Sequence, residues 1–118
     1  MIRILLVEDE MLLRELMSEE LTDSGFDVTA VATGDQALKL MGGDRGFDLL
    51  LTDIRMPGEM NGWALGRRAR EVIPSIRIIY ATGYTNEGND LGLYERAITK
   101  PFGHAQILEL IGDLGIAR

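Results

Sequence analysis

The chain has 118 residues, enough for one domain around one core and too few for a second, output-type domain. With 46% hydrophobic and 26% charged residues it has the balance of a soluble globular protein, and no apolar run reaches the length of a membrane span or a signal peptide, so the expected location is cytoplasmic. A net charge of −7 speaks against unaided binding to nucleic acid or an anionic membrane, and the absence of cysteine excludes disulfides, thiolate catalysis and cysteine-held zinc.

Ile2 to Val7 is the first predicted strand, cut off by Glu8-Asp9-Glu10. A helical stretch follows with Leu12, Leu13, Leu16, Met17 and Leu21 assigned to one face and Gly25 closing it. Phe26 to Val31 reads as a strand, its Val28 and Thr29 β-branched. Thr33 to Met41 reads as a helix: Thr33 and Gln36 have capping-box spacing, and Gly42-Gly43 ends it. Phe47 to Thr52 carries three consecutive leucines, the pattern of a strand buried on both faces. After a loop with Pro57, Gly58 and Gly62, Asn61 is placed to cap a helix over Trp63 to Val72, with Pro74 just beyond. The basic residues Arg67, Arg68 and Arg70 of that helix read as a solvated face rather than a nucleic-acid patch.

Ile76 to Ala81 is the fourth strand and Ala97 to Thr99 a short fifth. Between them, Asn86 to Tyr94 is expected to be helical but weak, because Gly88 and Gly92 each cost a helix interior about 1 kcal/mol relative to alanine. His104 to Leu114 closes the chain as a helix with Ile107, Leu108, Ile111 and Leu114 inward and Leu110 off that face. His104, the one histidine, reads as a cap or a solvated side chain, and Trp63 as a packing residue. Five βα units in this length imply an α/β fold, an open, doubly wound parallel sheet with helices on both faces. Ligands of such sheets sit beyond the carboxyl ends of the strands.

Those ends carry Glu8 and Asp9 after the first strand, Asp53 after the third, Thr82 after the fourth and Lys100 after the fifth. An acidic pair after a strand is ordinary loop solvation when it stands alone. Three carboxylates converging on one edge repel each other unless one protonates or a cation joins them. Hard oxygen ligands without imidazole or thiolate select Mg²⁺, or Mn²⁺ in its place, and Mg²⁺ commonly brings phosphate oxygens as further ligands. A carboxylate such as Asp53 can attack phosphorus and form an aspartyl phosphate, with Lys100 neutralising charge and Thr82 donating a hydrogen bond.

The motifs Leu5-Leu6-Val7-Glu8-Asp9-Glu10, Leu51-Thr52-Asp53-Ile54-Arg55-Met56-Pro57-Gly58, Ala81-Thr82-Gly83 and Thr99-Lys100-Pro101-Phe102 together resemble the receiver domain of two-component response regulators, over essentially the whole chain. The resemblance implies a CheY-like, flavodoxin-like sheet of strand order 2-1-3-4-5 and a single receiver domain over residues 1–118. It implies that Asp53 is the phosphoacceptor and that Asp9, Asp53 and the backbone carbonyl of Arg55 bind Mg²⁺, with Glu8 assisting through water. Thr82 and Lys100 would contact the phosphoryl group, and the bond before Pro101 would be cis. The donor would be a histidine kinase or a histidine phosphotransfer protein, with acetyl phosphate as a small substitute. A downstream protein would bind the surface formed by residues 86–114, where Leu110 is a contact candidate. No turnover of an external substrate is expected beyond self-phosphorylation and slow dephosphorylation.

The sequence departs from the family pattern at Ala97, where receivers often carry the Tyr or Phe that reports phosphorylation. Tyr80 and Tyr84 flank Thr82 and are the substitute switch candidates. The string Tyr80-Ala81-Thr82-Gly83-Tyr84 is similar to that of a subgroup of single-domain receivers, some of which act in bacterial stress signalling. The loop Pro57 to Gly62 is one residue longer than the commonest family form. Among rival classes, a Mg²⁺-dependent phosphohydrolase with an Asp nucleophile usually shows Asp-x-Asp, whereas Arg55 stands at the second position. A flavodoxin-type carrier would need a Ser/Thr-rich phosphate loop where Glu8-Asp9-Glu10 would repel the cofactor. A non-phosphorylated interaction module usually loses acidic or lysine positions that are intact here.

Overall fold

A computed structural model describes residues 1–43, 46–56, 60–83 and 91–116. Five parallel strands, β1 (Arg3–Val7), β2 (Asp27–Val31), β3 (Leu49–Asp53), β4 (Arg77–Thr82) and β5 (Glu95–Thr99), form one sheet in the order β2-β1-β3-β4-β5. The described helices are α1 (Met11–Asp23), α2 (Gly34–Met41), α3 (Gly62–Val72) and α4 (His104–Asp113). Alternate side chains of each strand point to opposite faces, so the sheet builds two cores. Ile4, Leu6, Leu49 and Leu51 pack against Leu21 of α1 and Ile107 and Ile111 of α4. Leu5, Val7, Leu50 and Ile78 pack against Ala37 and Met41 of α2 and Leu65 and Ala69 of α3. All five residues of β3 are buried, which is why its leucine run needs no polar alternation.

The helix caps follow from local chemistry. Thr33 Oγ1 accepts from Gln36 N at 3.1 Å while Gln36 Oε1 accepts from Ala32 N at 2.9 Å. Asn61 Oδ1 accepts from Ala64 N at 2.9 Å. Gly25 takes φ +97° just past α1, a conformation that disfavours any side chain.

Several expectations need correction. Leu12 and Leu16 are 70% and 53% exposed, because α1 touches the sheet only along the stripe through Met17 and Leu21. Leu110 is half-buried against the α4 core rather than turned away from it. His104 neither caps nor points to solvent: its Nε2 lies 2.6 Å from Ser24 Oγ, joining α4 to the end of α1. The weak helix expected over 86–94 falls mostly on residues 84–90, outside the described residues, and Leu93 and Tyr94 form a turn instead. Part of the lengthened 57–62 loop also lies outside them.

β5 begins two residues earlier than predicted, at Glu95, which is buried at 6% exposure. Its carboxylate accepts from the Tyr80 hydroxyl at 2.9 Å and from Gly92 N at 2.9 Å, and pairs with Arg70 Nη1 at 2.5 Å. Arg70 thus leaves the solvated face assigned to it and ties α3 to β5. Burial alone would raise the Glu95 pKa, but the Gly92, Tyr80 and Arg70 contacts outweigh it and the net shift is downward. A depressed folded-state pKa contributes stability above the ordinary carboxylate value of 4.5, lost as pH falls through the folded-state value. Glu95→Gln is therefore expected to cost about 1.5–3 kcal/mol at pH 7, the scale of a charged hydrogen bond. The gap in urea stability between wild type and variant should close as pH falls below the ordinary carboxylate range; a gap independent of pH would contradict the assignment.

Candidate functional site

The strand order places β1, β3 and β4 side by side, so their carboxyl ends share one edge. Register brings Val7 beside Thr52, Asp53 beside Ala81 and Thr82 beside Thr99. The residues just after these positions are therefore neighbours by construction. Carboxylate oxygens of Glu8, Asp9 and Asp53, one from each, all lie within 4.8 Å of one another. Glu8 is 4% and Asp53 9% exposed, whereas Asp9 faces solvent.

Lys100 enters from the far side. Its Nζ is 2.8 Å from Asp53 Oδ2 and 3.5 Å from Glu8 Oε1. Its backbone N donates to the Thr82 carbonyl at 2.7 Å, which fixes the end of β5 to the end of β4, and the Lys100–Pro101 peptide is cis. The site thus assembles Glu8, Asp9, Asp53 and Lys100 in direct proximity. Thr82, buried at the end of β4, is linked to them through this backbone bond. Arg55 follows two residues after Asp53 with an exposed side chain. Tyr84 lies outside the described residues.

Tyr80 is deeply buried beside Ala97 in register, its ring centroid 4.3 Å from that of Trp63. The small alanine on β5 leaves its larger neighbour on β4 as the aromatic of that pair. Burial and the Glu95 carboxylate both hold the Tyr80 hydroxyl in its protonated form, far above its ordinary pKa.

The electrostatics reflect crowding. Burial pushes the Glu8 carboxyl above the usual range, helped by the Asp53 charge and opposed by the Glu10 N–H and by Lys100. Burial opposes the Lys100 charge, but Asp53 and Glu8 outweigh it and its pKa is raised. One ammonium against three carboxylates leaves an anionic pocket of oxygen donors. Such a donor set fits Mg²⁺ or Mn²⁺, which prefer carboxylate, carbonyl and water ligands.

Residues 4–112 match the family model of the response regulator receiver domain. The chain belongs to this family. A receiver of this kind is a signalling module of two-component systems. The chain is 36% identical over 119 residues to the response regulator receiver protein CpdR of Brucella abortus, covering 98% of each chain. It is also similar to TrrA of Thermotoga maritima, solved in complex with Mg²⁺-BeF: 32% identity, TM-score 0.82, covering 97% of this chain and 99% of that one. A second structure holds TrrA in complex with the histidine kinase ThkA; there the identity is 31%, the TM-score 0.82, and the coverage 97% and 98%. Among the described helices none is long and apolar enough to cross a membrane.

Sequence reasoning misses two contacts, one at the amino end of β5 and one beside this site. Glu95 reads as loop because it is a charged residue before a short predicted strand; its side-chain partners come from β4 and α3. Arg14 lies within the predicted first helix, yet its guanidinium reaches back to the acidic loop. A cation in the first turn of a helix, beside three acidic residues, was the available signal for the second.

Proposed function

We propose that this receiver accepts a phosphoryl group on Asp53 from a histidine kinase or histidine phosphotransfer protein. The carrying observation is the Lys100 ammonium 2.8 Å from Asp53, with Glu8 and Asp9 beside it. Asp9, Asp53 and the backbone carbonyl of Arg55 would hold Mg²⁺, with Glu8 ligating through water. Bound Mg²⁺ would offset the negative charge of the phosphoryl oxygens.

An Asp53 carboxylate oxygen forms the new P–O bond while the P–N bond of a phosphohistidine donor breaks, and the imidazole leaves with the electron pair and takes up a proton. Lys100 stabilises the transferring group by charge and Thr82 by a hydrogen bond. Water later cleaves the acyl phosphate, so the protein cycles without turning over an external substrate.

The apolar groove of about 510 Å³ between α1 and α4, lined by Leu13, Leu16, Met17, Phe102 and Ile107, reaches Lys100 and offers a donor's helix a seat. The exposure of Leu16 has a use in this reading. Read as a single-domain receiver over residues 1–118 in the cytoplasm, the protein signals by changed affinity of the 86–114 surface for a partner, or drains phosphate from a shared kinase. Nucleic acid and membrane are not its targets. Thr82 and Tyr80 share a face of β4, so a shift of Thr82 toward the phosphoryl group bears on Tyr80 as the candidate switch; Tyr84 is the other candidate.

Intact mass measurement after incubation with acetyl phosphate or a kinase is expected to show one added phosphoryl group in wild type with Mg²⁺, none without it, and none in Asp53→Ala. Equal incorporation in Asp53→Ala, or none in wild type with either donor, would sink the reading. Sustained Asp53-dependent turnover of a phosphate ester would favour the phosphohydrolase class instead.

A further inference from the structure

We infer that Arg14 is a positioning residue: its guanidinium straps the backbone of the Glu8-Asp9 loop and so holds the Asp9 carboxylate toward Asp53. The inference rests on the proposed Mg²⁺ site and adds to it a residue outside the carboxylate and lysine set.

Arg14 occupies the first turn of α1, where its own N–H donates to the Glu10 carbonyl at 2.9 Å. Long side chains on a helix lean toward its N-terminus, and this one does. Nη1 donates to the Glu8 carbonyl at 2.8 Å and lies 3.5 Å from the Asp9 carbonyl. A cation at a helix N-terminus opposes the macrodipole, so its placement is locally unfavourable. The hydrogen bonds to loop carbonyls and the nearby acidic charge offset that cost.

The two residues it grips differ in how they are held. Glu8 is held by several contacts: its N–H donates to the Val31 carbonyl at 3.1 Å, its carboxylate accepts from Glu10 N at 3.1 Å and lies 3.5 Å from Lys100 Nζ, and its carbonyl is held by Arg14. Asp9 is exposed, and Arg14 bears on both peptides that set its direction. α1 begins without a side-chain cap, so no capping bond at Glu10 anchors the loop in place of Arg14.

Charge and geometry predict opposite outcomes for removing Arg14, which makes the idea sharp. As a mere nearby cation, Arg14 repels a dication, and its loss would tighten Mg²⁺ binding. As a strap, its loss frees Asp9 and weakens binding. Residues that orient metal ligands from behind typically contribute about 10–100-fold in metal affinity. Arg14→Ala and Arg14→Gln are both expected to weaken Mg²⁺ binding by about 10-fold, followed by calorimetry or amide chemical shifts, with Arg14→Lys recovering part of the loss. In the metal-free protein the Asp9 and Glu10 amides should exchange faster in Arg14→Ala than in wild type, while the α4 amides stay unchanged. Equal or tighter Mg²⁺ binding by the two neutral variants overturns the strap. If wild type itself does not bind Mg²⁺, the phosphoacceptor reading fails, and the strap is then judged by exchange alone: unchanged Asp9 and Glu10 amides reject it.

Discussion

Gly62→Ala is expected to lower the melting temperature on the order of 10 °C, a destabilisation of about 3 kcal/mol. The reason is contact with main chain rather than conformation. A Cβ built on Gly62 would collide with the carbonyl oxygen of Asp53 and lie 2.7 Å from Ile54 Cα and 3.0 Å from the Asp53 carbonyl carbon. None of these atoms can rotate away, so α3 or the end of β3 must move. The same approach lets Gly62 N donate to the Ile54 carbonyl at 2.8 Å, which the added methyl would break. The displaced backbone is that of the proposed phosphoacceptor, so on that reading the variant should also lose phosphoryl uptake at temperatures where it is folded. Gly112→Ala is the control: nothing lies within 4 Å of its added methyl, and alanine inside α4 should stabilise by about 1 kcal/mol. A Gly62→Ala protein that melts with wild type would show that α3 is not seated on β3 as described.

The contrast between these two glycines shows what a sequence carries and what it hides. From sequence Gly62 reads as a loop glycine and Gly112 as a helix glycine, and neither assignment shows that α3 packs Gly62 against the Asp53 peptide. The sheet itself was legible because most strands hold a short apolar run with its own turn chemistry, and because Leu49-Leu50-Leu51 marks β3 as buried on both faces. The caps at Thr33 and Asn61 were legible because capping is local. The assembly of Glu8, Asp9, Asp53 and Lys100 was legible for a different reason: parallel strands all end on one edge, so the residue after each strand is placed by topology alone. What stayed hidden depends on partners far away in sequence. Glu95 is buried with Tyr80 and Arg70, residues on two other elements, and a lone acid gives no hint of them. Leu12 and Leu16 have the spacing of a buried face, but α1 has one sheet to lie on and leaves them outside.

Lys100→Met should separate the two jobs of the ammonium. In the unphosphorylated protein it is a local counter-ion, 2.8 Å from Asp53 and 3.5 Å from Glu8. Removing it leaves three carboxylates within 4.8 Å of one another, so the metal-free variant should be less stable at pH 7 by about 1–2 kcal/mol, and the Glu8 carboxyl should rise further above its ordinary pKa. The sign for lysine runs the other way in pH. Its raised pKa means that wild type keeps this contribution at neutral pH and loses it only as pH climbs through the folded-state value, above the ordinary 10.5. Mg²⁺ then binds the variant more tightly than wild type, because a competing cation is gone, and the rise in melting temperature on adding Mg²⁺ should be larger in Lys100→Met. Phosphoryl transfer should nonetheless slow by about 10²–10³-fold, the scale of losing one preorganised charge on the transferring group. Tighter metal binding together with slower transfer is the signature of a lysine aimed at the phosphoryl group. If the variant takes up phosphate at the wild-type rate, Lys100 serves only as the counter-ion of Asp53.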